Sequence, residues 1–96
     1  MFAEFEDMAH KKAARGESLT AESLCSIYRQ LNADYFGPAM TVDRQIDYEW
    51  ERIPHFYTPF YVYQYATGFS AAVAISSRIM SGEPGALEGY KKFLSG

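Results

Sequence analysis

One histidine and four tyrosines crowd into Pro54-His55-Phe56-Tyr57-Thr58-Pro59-Phe60-Tyr61-Val62-Tyr63-Gln64-Tyr65. Imidazole and phenol groups both donate hydrogen bonds. Beside the free N–H groups and positive dipole end of a helix, they could bind a carboxylate or stabilise an oxyanion. Helical spacing sorts them, because residues four apart are neighbours on a helix surface. Tyr61, Tyr65, Gly68/Phe69 and Ala72 then share one face, and Tyr63, Thr67 and Ser70 another. His55 precedes this helix and could fold over its first turn. A second reading stands beside the first. A Tyr- and Ala-rich helix containing Gly68 is also what a tightly packed core helix looks like, its hydroxyls satisfied by backbone carbonyls. On composition alone that packing reading is the stronger.

Other chemistry is excluded by residue type and spacing. A helical zinc site of the H-E-x-x-H kind needs two histidines at i and i+4. His10 and His55 are the two histidines present, and they are far apart. The chain also has no G-x-S-x-G elbow, phosphate-binding G-x-x-x-x-G-K or EF-hand loop. No metal is therefore expected on this chain. Cys25 is the one cysteine, so there is no internal disulfide. It falls inside an amphipathic helix and reads as a small packing residue. Single-cysteine usage and the acids of Met1-Phe2-Ala3-Glu4-Phe5-Glu6-Asp7 point to a reducing, cytoplasmic setting without a secretory signal.

Nine Lys and Arg against twelve Asp and Glu leave a net charge of −3, which lacks the basic footprint of a nucleic-acid binder. Lys11, Lys12 and Arg15 are the one basic cluster, and they fall where a helix end welcomes cations. From Ile53 to Ser77 there is no charged residue. Pro54, His55, Pro59, Gln64 and the spread tyrosines argue against a membrane span there. The stretch reads instead as a segment buried on nearly every side.

These residues need elements to hold them. Over 1–15, Phe2, Phe5 and Met8/Ala9 follow helical spacing, with Glu4, Glu6, Asp7 and Lys11 opposite, and Gly16 is a natural stop. Thr20 is an N-cap with Leu19 and Leu24 placed as a hydrophobic staple. Leu24, Ile27, Tyr28, Leu31 and Tyr35 form the second helix's stripe, ended by Gly37-Pro38. Residues 37–58 read as irregular, with one or two helical turns over 47–52. A third helix is expected from Thr58 as N-cap and Pro59 at N1 to about Met80. Gly82 and Pro84 separate it from a last helix over roughly 84–94. The fold class is all-α with about four helices, at a length that suits one domain. Seven Phe, eight Tyr and one Trp are a heavy load for 96 residues, so most must be buried or must line something.

Several runs resemble the C-terminal part of the oligoendopeptidase F family, bacterial members of the thimet-like zinc metallopeptidases. They are Met1-Phe2-Ala3-Glu4-Phe5-Glu6, Leu19-Thr20-Ala21-Glu22 and Tyr35-Phe36-Gly37-Pro38. The likeness is tightest at Arg52-Ile53-Pro54-His55-Phe56-Tyr57 and at Pro59 through Gly68. The resemblance implies that residues 1–96 are one helical segment, the C-terminal portion of a larger helical zinc-metallopeptidase catalytic domain. It implies hydrolysis of oligopeptides with zinc in the full-length enzyme, the zinc ligands lying upstream of Met1 and none bound by this chain. His55 matches the family's oxyanion-stabilising histidine. Tyr65, then Tyr61, match its catalytic tyrosine, and Tyr57, Tyr63 and Gly68 fall in the substrate-binding stretch. The isolated chain is expected to be inactive.

An alternative from another class is a free-standing interaction module that self-associates through helix 59–80, since its aromatic surface exceeds what so short a chain can hide.

Overall fold

The computed structural model describes all of residues 1–96. It is all-helical, with four α-helices: α1 (Phe2–Ala14), α2 (Ala21–Phe36), α3 (Tyr63–Met80) and α4 (Ala86–Ser95). Two 3-10 segments, Arg44–Arg52 and Pro54–Tyr57, connect α2 to α3. The chain divides into two compact units, Met1–Tyr63 and Gln64–Gly96.

In the first unit, α1 ends at Arg15 and Gly16 takes a left-handed φ of 75°. Thr20 caps α2 by a reciprocal box. Its Oγ1 accepts from the Ser23 backbone N–H at 3.2 Å, and Ser23 Oγ accepts from the Thr20 N–H at 3.1 Å. Ser23 thus fills the role more often played by Glu or Gln. Gly37, at φ 74°, closes α2 in a conformation that a residue with a Cβ adopts only with strain.

The core of this unit is aromatic. Phe5 and Tyr28 meet edge to face at 5.2 Å, and Phe56 lies 5.2 Å from Phe5. Leu31 completes the buried cluster, and Leu24, Ile27, Ile46 and Trp50 pack around it. The α2 stripe is therefore as expected at Tyr28 and Leu31, but Tyr35 is exposed. Tyr28 is fully buried and donates its hydroxyl proton to Glu49 Oε2 at 2.7 Å. Arg29 holds Asp47 through both carboxylate oxygens, at 3.0 and 3.1 Å. These two links anchor the 3-10 segment to α2; the segment begins at Arg44, where the sequence suggested turns only over 47–52. Each ties an acidic residue of the 3-10 segment to the helix beneath it.

The third helix begins later than expected. Thr58 is not its cap and Pro59 is not its first residue, for α3 starts at Tyr63. Phe60 has a φ of 59°, the single positive value outside glycine, and a left-handed residue cannot be part of a right-handed helix. Pro instead opens the earlier 3-10 segment, at Pro54.

In the second unit, α3 and α4 are joined by a turn in which Gly82 and Gly85 have φ values of 73° and 79°. Arg78 bridges to Glu83 across it, with Nε at 2.9 Å. No residue of this unit is buried, and Ile75, Ile79 and Ala86 are its half-buried side chains. The charge-free stretch is accordingly not enclosed by this chain. Between Ile53 and Ser77 only Ile53 and Val62 are buried. No helix is long and apolar enough to cross a membrane.

Candidate functional site

His55 sits in the 3-10 turn Pro54–Tyr57. The turn is pinned by buried Ile53 before it and by Phe56, whose ring packs on Phe5 and Phe2. With Ile53 and Phe56 turned inward, His55 is left exposed. The chain then turns at 58–62, where the Tyr61 backbone N–H donates to the Thr58 carbonyl at 3.2 Å. This brings the Tyr61 ring against the His55 ring, with centroids 5.2 Å apart and planes 11° from parallel. Stacking fixes the relative orientation of the two rings.

The expected site residues are distributed differently from the helical sorting. Tyr61 lies outside α3, so its one-turn relation to Tyr65 on a common helix face does not exist. His55 meets Tyr61, not the first turn of a helix beginning at Pro59. Tyr63 is the first residue of α3, and Tyr65 follows in its first turn. Tyr57 is 80% exposed and ends the 3-10 turn. Gly68 lies within α3, with nothing within 4 Å of where a Cβ would stand. Its lack of a side chain is not required by packing inside this chain.

Beneath the turn lies a cavity of about 320 Å3, lined among others by Glu6, Ala9, His10, Trp50, Phe56 and Tyr57. Glu6 was expected on the solvent face of α1, but it is 4% exposed. One oxygen, Oε1, accepts from the Phe60 backbone N–H. The other, and Trp50 Nε1, are buried with no hydrogen-bond partner in the chain. The sequence held a signal for this. Glu6, Ala9, His10 and Ala13 recur at i, i+3, i+4 and i+7, which is the spacing of an inward face. Reading Glu6 as a surface acid by residue type hid it.

A zinc ion finds no site here. No group of three or more His, Cys, Asp or Glu side chains is placed to hold a metal.

The model for peptidase family M3 matches residues 1–96. The chain is 54% identical over 94 residues to oligopeptidase PepF of Bacillus subtilis, covering 98% of the chain and 14% of that protein. It is 45% identical over 93 residues to the plasmid oligoendopeptidase F of Lactococcus lactis subsp. cremoris, covering 97% and 16%. The crystal structure of oligoendopeptidase-F from Enterococcus faecium matches with a TM-score of 0.83 and 52% identity, over 97% of this chain and 18% of that one. The chain thus spans about one sixth of the length of the relatives it matches.

Proposed function

The chain belongs to peptidase family M3, and from that premise we propose that it is the C-terminal portion of the catalytic domain of a zinc-dependent oligoendopeptidase that hydrolyses oligopeptides. It supplies the wall of the site that faces the substrate carbonyl. Zinc, which in such an enzyme polarises the carbonyl and activates water, is held by residues of the parent polypeptide outside this chain. His55, Tyr61 and Tyr65 donate hydrogen bonds to the oxyanion that forms when the carbonyl is attacked, and Tyr57, Tyr63 and Gly68 border the bound peptide.

The observation that carries this reading is the His55–Tyr61 stack. It lies on an exposed turn fastened from below by Ile53 and Phe56. Imidazole and phenol donors in an oxyanion site act more strongly in the transition state than in the ground state, because only there does the oxygen carry full charge. The one cysteine supports a reducing, cytoplasmic setting.

The test has two arms. The 96-residue chain should take up no stoichiometric zinc and cleave no peptide. In the full-length enzyme, His55→Ala and Tyr65→Phe should each lower kcat more than they raise KM. Zinc uptake with hydrolysis by the chain alone, or unaltered kcat in both variants, would overturn the assignment.

A second reading rests on Phe69, Val73 and Met80 of α3, exposed at 74, 51 and 86%. Such apolar exposure suits an interaction module that self-associates through the helix expected over 59–80, of which α3 is the realised part. It requires a concentration-dependent dimer in light scattering and no peptidase role for the parent.

A further inference from the structure

We infer that Glu6 is a positioning residue for the His55–Tyr61 pair, acting through the backbone of Phe60; this rests on the reading of that pair as the carbonyl-facing wall. Two features that disfavour folding coincide at one contact. Glu6 is a carboxylate at 4% exposure with one oxygen unpartnered, and burying such a group is unfavourable. Phe60 is a bulky residue with a φ of 59°, a region open to few side chains other than glycine. Features of this kind persist where the surroundings over-determine them, and they gather at functional sites.

The surroundings here do over-determine Phe60. Glu6 Oε1 accepts its backbone N–H, a charge-assisted bond stronger than one between neutral groups. One turn further along α1, the His10 ring lies 4.4 Å from the Phe60 ring. His10 Nδ1 donates to the Glu6 carbonyl at 2.8 Å, since a carbonyl can only accept. Glu6 therefore holds the amide of Phe60, and His10, steadied by Glu6, holds its ring. Tyr61 is the next residue, and Val62 beyond it is buried. With Phe60 left-handed, the chain reverses between Thr58 and Val62, and Tyr61 is delivered onto His55. Were Phe60 helical, Tyr61 would join the right-handed helix expected from Pro59 and the stack would be lost.

The experiment uses the full-length peptidase that contains this chain, with Glu6→Ala, Glu6→Asp and Glu6→Gln, each checked for folding by thermal unfolding. Glu6→Gln keeps an oxygen that can accept from Phe60. Glu6→Asp keeps the charge but is one methylene too short. Glu6→Ala should lower kcat about 10- to 100-fold, as misplacement of reacting groups does, with KM altered less than about threefold. Glu6→Gln should recover most of that loss. A folded Glu6→Ala enzyme with full kcat, or Glu6→Gln as slow as Glu6→Ala, overturns the inference. If Glu6→Ala does not fold, the order of the other two decides. Glu6→Asp slower than Glu6→Gln supports positioning through the amide, and equal rates or the reverse order defeat it. Absence of hydrolysis by the unsubstituted enzyme brings down the reading of the site and this inference with it. Full activity in folded Glu6→Ala brings down this inference alone.

Discussion

The ring of Tyr61 stacks on that of His55, 11° from parallel and 5.2 Å centroid to centroid, across a turn of five residues that belongs to no helix. The pair is adjacent in space because the turn is fastened, not because helical periodicity places it there.

That relationship separates two roles for Tyr61. Tyr61→Phe keeps the stacked ring and removes the hydroxyl. In the full-length enzyme it should lower kcat by about tenfold or more, with His55→Ala costing about 100-fold, the scale found for losing one oxyanion donor. Steady-state kinetics on a short peptide checks this. A Tyr61→Phe enzyme with full kcat would leave Tyr61 a stacking platform for His55 and nothing more.

Tyr28 governs stability instead. Burial, and then the hydrogen bond to the Glu49 carboxylate, raise its hydroxyl pKa well above the ordinary 10.0. The folded state therefore keeps a proton that the unfolded chain releases near pH 10.0. Stability from this group is complete below that pH and falls as pH rises beyond it. Tyr28→Phe should lower the unfolding free energy at neutral pH by about 1–3 kcal/mol, by loss of a hydrogen bond to a charged group. It should also flatten the alkaline decline. Urea unfolding at pH 7 and at pH 11 tests both parts, and an equal decline in the two proteins would contradict the assignment.

The α2 cap predicts a smaller, local effect. Thr20→Ala removes the acceptor of the Ser23 N–H and should cost about 1 kcal/mol. Thr20→Asn, which retains an acceptor, should cost less. Hydrogen exchange should quicken in the first turn of α2 before it does at Leu31. Uniform quickening along the helix would mean that the box does not act locally.

Glu17 predicts a salt-dependent titration. Hydrogen bonds from Lys12 and then Arg15 lower its pKa from 4.5 to about 2. A lowered folded value means that its contribution is present above pH 4.5 and is lost as pH falls toward 2. The pair is exposed, so about 1 M salt, with a Debye length near 3 Å, should move the carboxyl titration back upward. NMR titration of the Glu17 carboxyl reads this directly. A midpoint insensitive both to salt and to Lys12→Ala would contradict the contact.

The second unit shows how far local rules reach. Gly82 and Pro84 separate two helices in the sequence, and α3 and α4 end and begin on either side of them. No contact elsewhere is needed for that outcome.

What the sequence by itself determined is whatever short-range free energy decides. Thr20 caps α2, Gly16 and Gly37 end helices in left-handed conformations, and the Phe5, Tyr28 and Leu31 positions point inward. His55 and the tyrosines were visible as a cluster by residue type alone. Tertiary structure decided how they are arranged. The signal Thr58-Pro59 favours a helix start, and by local propensity it should win. It loses because Phe60 is held left-handed by a carboxylate 54 residues earlier in the chain. Glu6 itself leaves the solvent face for the same reason, since its partner is a backbone amide that no helical pattern can announce. Capping and periodicity act within a few residues. The contact that sets Tyr61 against His55 depends on α1 packing under a distant turn, and only the folded chain brings those two segments together.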